Sequence, residues 1–66
     1  MPWDWSQING AMTLIAQEGW HEDVDSLYRL VRRFRGALVD HDASIARSAE
    51  HDIVMLAAQV RARRSQ

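Results

Sequence analysis

Proline occurs once, at position 2, and the only other helix breakers are the glycines at 10, 19 and 36, so almost the whole 66-residue chain is free to run as helix. The expected fold class is therefore all-α: a small three-helix bundle or helical hairpin with helices near 4–18, 22–39 and 43–63. Residues 1–66 read as a single helical domain, with 62–66 as an Arg-rich tail prone to fraying. A chain this short buries only about 60% of the surface that its unfolded form exposes. It contains no cysteine, which removes disulfide scaffolds, zinc knuckles, iron–sulfur clusters and thiol catalysis. Completion by dimerisation is the expected remedy.

The first helix carries the clearest start signal. Asp4 is placed to cap it, Gln7 to close a capping box, and Trp3 and Ile8 to form a hydrophobic staple. Gly19 is expected in the left-handed position after its last turn, with Trp20 folding back on Ile15. Gly10 reads as a point of close approach to a neighbouring helix. Trp5, Ile8, Met12 and Ile15 recur at the period of one helix face. In the second segment Glu22, Asp23 and Asp25 crowd a first turn, where the backbone dipole favours acids, and Asp25 and Arg29 are spaced for an ion pair. Val24, Leu27, Tyr28, Val31, Phe34 and Leu38 then form an apolar stripe. The third segment repeats the pattern with Ile45, Ala49, Ile53, Leu56 and Val60, and ends in Arg61, Arg63 and Arg64. The sequence predicts a core of Trp5, Ile8, Met12, Ile15, Leu27, Val31, Phe34, Leu38, Ile45, Ile53, Leu56 and Val60. Between the last two segments, Asp40–Ser44 reads as a tight turn with Asp40 or Asp42 as cap. The heptad seam Leu27, Val31, Phe34, Leu38, His41, Ile45 nevertheless runs straight through it and also allows one helix of about 40 residues.

Charge is distributed unevenly. The first 26 residues hold five acids and no Arg, while the remainder holds all eight basic residues, every one Arg, against four acids. Folding the acidic part onto the basic part satisfies much of this charge internally, so neither part alone implies nucleic acid or membrane. No apolar run approaches the length of a membrane span, and Asp4 stands where a signal peptide carries positive charge. The reading is a soluble, cytoplasmic protein of the kind that bacteria and mobile elements encode in compact genes.

Each histidine lies in an acidic triplet: His21-Glu22-Asp23, Asp40-His41-Asp42 and Glu50-His51-Asp52. Glu18 and His21 also form Glu-x-x-His, a spacing used by helical di-iron bundles. Neighbours on a helix point about 100° apart and cannot converge on one ion, so these residues read as solvated and no metal or other cofactor is expected. No Ser or Thr is arranged with His and an acid for nucleophilic catalysis, and no glycine-rich phosphate loop is present, so an enzyme is not expected. Arg29, Arg32, Arg33 and Arg35 form a basic face on the second helix, suited to carboxylates or to phosphates. With Trp3 and Trp20 they are the candidate partner-binding residues. Leu30, Val39, Val54 and Met55 fall off the main stripes, as does Leu14, and the first four are the candidate dimer interface. The expected function is macromolecular binding by a protein-binding regulator, adaptor or inhibitor acting as a homodimer. The alternative is nucleic-acid binding through the Arg face.

Overall fold

The computed structural model describes residues 3–65. They form three helices, α1 (Trp5–Glu18), α2 (His21–Val39) and α3 (Ala43–Arg64), and no strand occurs among the described residues. α3 runs through Arg64, and only Gln66 of the Arg-rich tail lies outside the described residues. The helices run up, down and up. The α1 N-terminus meets the end of α2 and the start of α3, and the opposite end gathers Glu18, Trp20 and Arg63.

α3 is the hub. It packs along both other helices, whereas α1 and α2 touch each other only over a short stretch. Ten residues form the buried core: Ile8, Ala11 and Ile15 from α1, Phe34 and Ala37 from α2, and Ala46, Ala49, Ile53, Ala57 and Val60 from α3. Met12, Leu27, Leu30, Val31, Leu38 and Leu56 pack half-buried around them. Five of the ten are alanines, which let α1 and α2 approach α3 closely but contribute less than the roughly 1.5–3 kcal/mol of a fully buried Val, Ile or Phe.

Two expected core members lie at the edge instead. Trp5 and Ile45 are each 41% exposed. Trp5 rests obliquely on the buried ring of Phe34, with centroids 5.9 Å apart, and shields it rather than replacing it. Ile45 sits in the first turn of α3, where Ala46 takes the inward position. Tyr28 is 68% exposed and leaves the α2 stripe altogether. Leu14 and Leu30 move the other way and pack against the core.

The helix ends show which local signals win. Asp4 caps α1 by accepting the Gln7 N–H at 3.1 Å, which is one half of the expected capping box. Gly19 is extended, at φ −75° and ψ 158°, rather than left-handed. Its need for glycine is steric: a Cβ there would meet the Ile15 carbonyl oxygen at 2.5 Å. Gly10 has nothing within 4 Å of a built Cβ, so no neighbouring helix approaches it. The left-handed cap occurs at the end of α2, on a histidine. His41 has φ 58°, its N–H donates to the Leu38 carbonyl at 3.2 Å, and the Asp42 N–H donates to the Ala37 carbonyl at 2.8 Å. This pair of bonds is a Schellman motif. Asp42 then opens α3 by accepting the Ile45 N–H. Together they break the heptad seam, and the single long helix does not form.

Candidate interaction surface

The acidic and basic parts of the chain meet at one end of the bundle. Asp23 is buried at the start of α2, and its Oδ2 accepts the backbone N–H of Trp20 at 2.7 Å. The same carboxylate pairs with Arg63 near the end of α3, and the Arg63 guanidinium lies 3.7 Å from the Trp20 ring centroid. Arg64 pairs with Glu18 at the end of α1. The Asp23 carboxyl is held below the usual carboxylate range, first by the Trp20 N–H and then by Arg63, with burial opposing both. This end therefore fastens all three helices. Trp20 is 58% exposed at its edge.

At the other end Trp3 stands edge-on to Phe34, centroids 5.5 Å apart and planes at 88°. The guanidinium carbon of Arg47 lies 5.0 Å above the Trp3 ring. Trp3 is thus packed into the bundle as part of its aromatic seam. Beside it lies an apolar cleft of about 490 Å³ lined by Trp3, Ala37, Leu38, His41, Asp42, Ala43 and Ala46. No hydroxyl or thiol stands on this lining, and the Asp42 carboxylate is occupied in capping α3.

The four arginines of α2 behave differently from Arg63 and Arg64. Arg29, Arg32, Arg33 and Arg35 are all exposed, and none of them meets a carboxylate among the described residues. The expected Asp25–Arg29 pair is not formed. Asp25 pairs with His21 at 3.5 Å, and Arg29 donates to the Ser26 hydroxyl at 3.2 Å. Tyr28, Arg32, Arg35 and Val39 follow one another at spacings of four, three and four residues and share one line on the helix exterior. Tyr28 and Val39, at 68% and 71%, are the most exposed large hydrophobic residues described. They stand about 16 Å apart along the axis, at 1.5 Å per residue, with two unpaired guanidinium groups between them.

The four residues expected to share a dimer interface are not brought together. Leu30 faces the core, Val39 ends the α2 line, Val54 lines a groove between α1 and α3, and Met55 stands on the exterior of α3. The three histidines are exposed on separate parts of the molecule, and no group of three or more metal-capable side chains converges among the described residues. Among those residues no helix is long and apolar enough to cross a membrane. Tyr28 is the one member of the α2 line that the sequence places on the apolar stripe. Its spacing to Arg32 and Arg35 carried the signal, but an aromatic at the stripe margin reads equally well as buried. Comparison with protein-family models, curated proteins and solved structures finds no match to this chain.

Proposed function

We propose that this chain is a non-enzymatic protein-binding module, acting as a regulator, adaptor or inhibitor, which presents the outer face of α2 to an acidic partner. The observation that carries this reading is the line Tyr28, Arg32, Arg35, Val39, in which two exposed apolar side chains bracket two unpaired arginines. Tyrosine and arginine are the side chains that concentrate binding energy at protein interfaces, and anchors at i, i+4, i+7 and i+11 are how a helix addresses a groove or another helix. Arg29 and Arg33 widen the basic face. Trp20 supplies a further exposed aromatic edge at the far end of the bundle, beyond the start of α2.

Nucleic acid is the competing partner, because guanidinium groups also fit phosphates. The same helix argues against it. Glu22 and Asp25 lie before the arginines and Asp40 after them, all exposed. A phosphate backbone continuing past this basic patch in either direction meets carboxylates, whereas a compact acidic protein surface does not.

The test uses the parent and a variant carrying Arg29→Ala, Arg32→Ala and Arg33→Ala. Each is titrated with short duplex and single-stranded DNA and RNA at two salt concentrations, and each is used for affinity capture with and without nuclease. The proposal predicts that neither binds nucleic acid tighter than about 10 µM at physiological salt, and that the parent alone retains a protein whose capture survives nuclease. Sub-micromolar nucleic-acid binding that the variant loses, with a log–log salt slope near −0.9 per phosphate contacted, would establish the competing partner instead.

A further inference from the structure

The opposite side of the molecule has a different chemistry. Residues 5–17, nearly all of α1, contain no Asp, Glu, Lys, Arg or His. Ser6, Asn9, Gly10, Thr13 and Gln17 are nevertheless exposed, so this is an exterior helix surface without charge. Beside it, the exterior of α3 carries Ser44, Ser48, His51, Met55, Ala58 and Ala62 at heptad spacing, with no carboxylate and no arginine among them. A groove of about 380 Å³ separates the two helices, lined by Gln7, Gly10, Ala11, Val54, Ala57, Ala58 and Arg61. Arg61, at one end of the groove, is its sole charged lining residue.

We infer that this side of the molecule is a self-association surface, in which α1 of each protomer lies across the α1/α3 groove of a second copy. Three observations name that occupant. In a two-fold interface every group close to the axis meets its own twin, so a charged face repels itself and an uncharged one does not. The α2 face fails this condition, because a two-fold pairing centred on its basic patch sets arginine against arginine. The side formed by α1 and α3 satisfies it. Second, the two longest extents of the molecule are 39 and 20 Å, so a broad side is large enough for the roughly 800 Å² that each partner contributes to a standard interface. Third, half of the ten buried core residues are alanines, so a 66-residue chain without cysteine buries little large apolar surface of its own, and a second copy adds what it lacks. One uncharged helix stands beside one groove whose lining charge is confined to Arg61 at its end, and the same operation seats both.

Sedimentation equilibrium over a micromolar range tests this on four proteins. Gly10→Glu adds a carboxylate where a Cβ meets nothing within 4 Å, and Ala58→Glu adds one at an exposed lining position, so both variants are expected to retain the helical fold, as circular dichroism checks. The parent is expected to sediment at twice its 7.6 kDa chain mass. Each variant is expected to dissociate at least about 100-fold more readily, since its new carboxylate is buried against an apolar groove or faces its twin. The combined replacement Arg32→Ala, Arg35→Ala is expected to leave the dimer intact. A parent that stays monomeric at 100-fold the concentration, a dimer that persists in both glutamate variants, or a dimer lost in the arginine variant would each overturn the inference. Because the α2 face lies on the other side of the molecule, failure here leaves the protein-binding reading standing, and the converse holds.

Discussion

His41 adopts φ 58°, a conformation that costs a side chain with a Cβ about 1–2 kcal/mol. His41→Gly is therefore expected to raise stability by about 1 kcal/mol in urea unfolding, and His41→Val to lower it, because a β-branched residue fits that region least. Gly19 makes the opposite case. Its backbone is extended, yet Gly19→Ala is expected to destabilise, since the added methyl collides with the Ile15 carbonyl rather than straining φ. Asp23 predicts an acid limb. Its carboxyl is lowered in the fold by the Trp20 N–H and by Arg63, so folding favours the charged form. The stability this contributes is fully present above the unfolded carboxylate value, near pH 4 in order of magnitude, and is lost as pH falls through the depressed folded value. Asp23→Asn should lower neutral-pH stability by about 2 kcal/mol and flatten the acid side of the pH–stability curve. An unchanged acid limb would show that Asp23 does not carry it.

The break between α1 and α2 was legible because it rests on strong local chemistry, the Asp4 cap and the single usable break at Gly19. The break between α2 and α3 stayed open in the sequence, with a heptad seam running through it, and is decided by the left-handed His41 and the Asp42 cap. The composition of the core was legible only in part. Large residues on a regular stripe, such as Ile8, Ile15, Phe34, Ile53 and Val60, are buried as the period requires. Alanines give no comparable signal, because Ala11, Ala37, Ala46 and Ala57 look the same in sequence as the exposed Ala16, Ala58 and Ala62. What separates them is which side of α3 each neighbouring helix covers, and this is set by three-dimensional packing. The same reason misplaced Trp5 and Ile45 at helix ends: Trp5 lies on the outside of Phe34, and Ala46 rather than Ile45 takes the inward position. Of the α2 site, Arg29, Arg32 and Arg33 were legible from their position opposite the stripe, and Arg35 from its place flanking it. Tyr28 was not, since it lies at the stripe margin. Phe34→Ala is expected to cost about 3–5 kcal/mol and Ile45→Ala less than about 1 kcal/mol, by thermal or urea unfolding. Ala49→Leu, although it adds apolar surface, should destabilise by about 1–3 kcal/mol, because Ala49 is fully buried where the helices crowd together.

At the scale of the whole molecule, charge sorts the bundle into parts with different physical duties. One end is locked by Asp23, Arg63, Glu18 and Arg64, the outer face of α2 keeps its arginines unpaired, and the side formed by α1 and the exterior of α3 is almost without charge. Under the proposed reading, a two-fold dimer through the uncharged side carries its two α2 faces outward. Two such faces on one particle engage a clustered acidic partner with avidity that a single face lacks. The central claim is this outward disposition of α2. It is tested most directly by measuring the distance between spin labels in the assembled protein. The chain contains no cysteine, and Gly36 stands exposed on α2 with open space around it, so Gly36→Cys places one label per copy without disturbing charge or packing. The account predicts a separation between the two copies beyond about 30 Å, twice the 15 Å shortest extent of the protomer. A separation shorter than that single 15 Å thickness, or the absence of any coupling between copies, would contradict it.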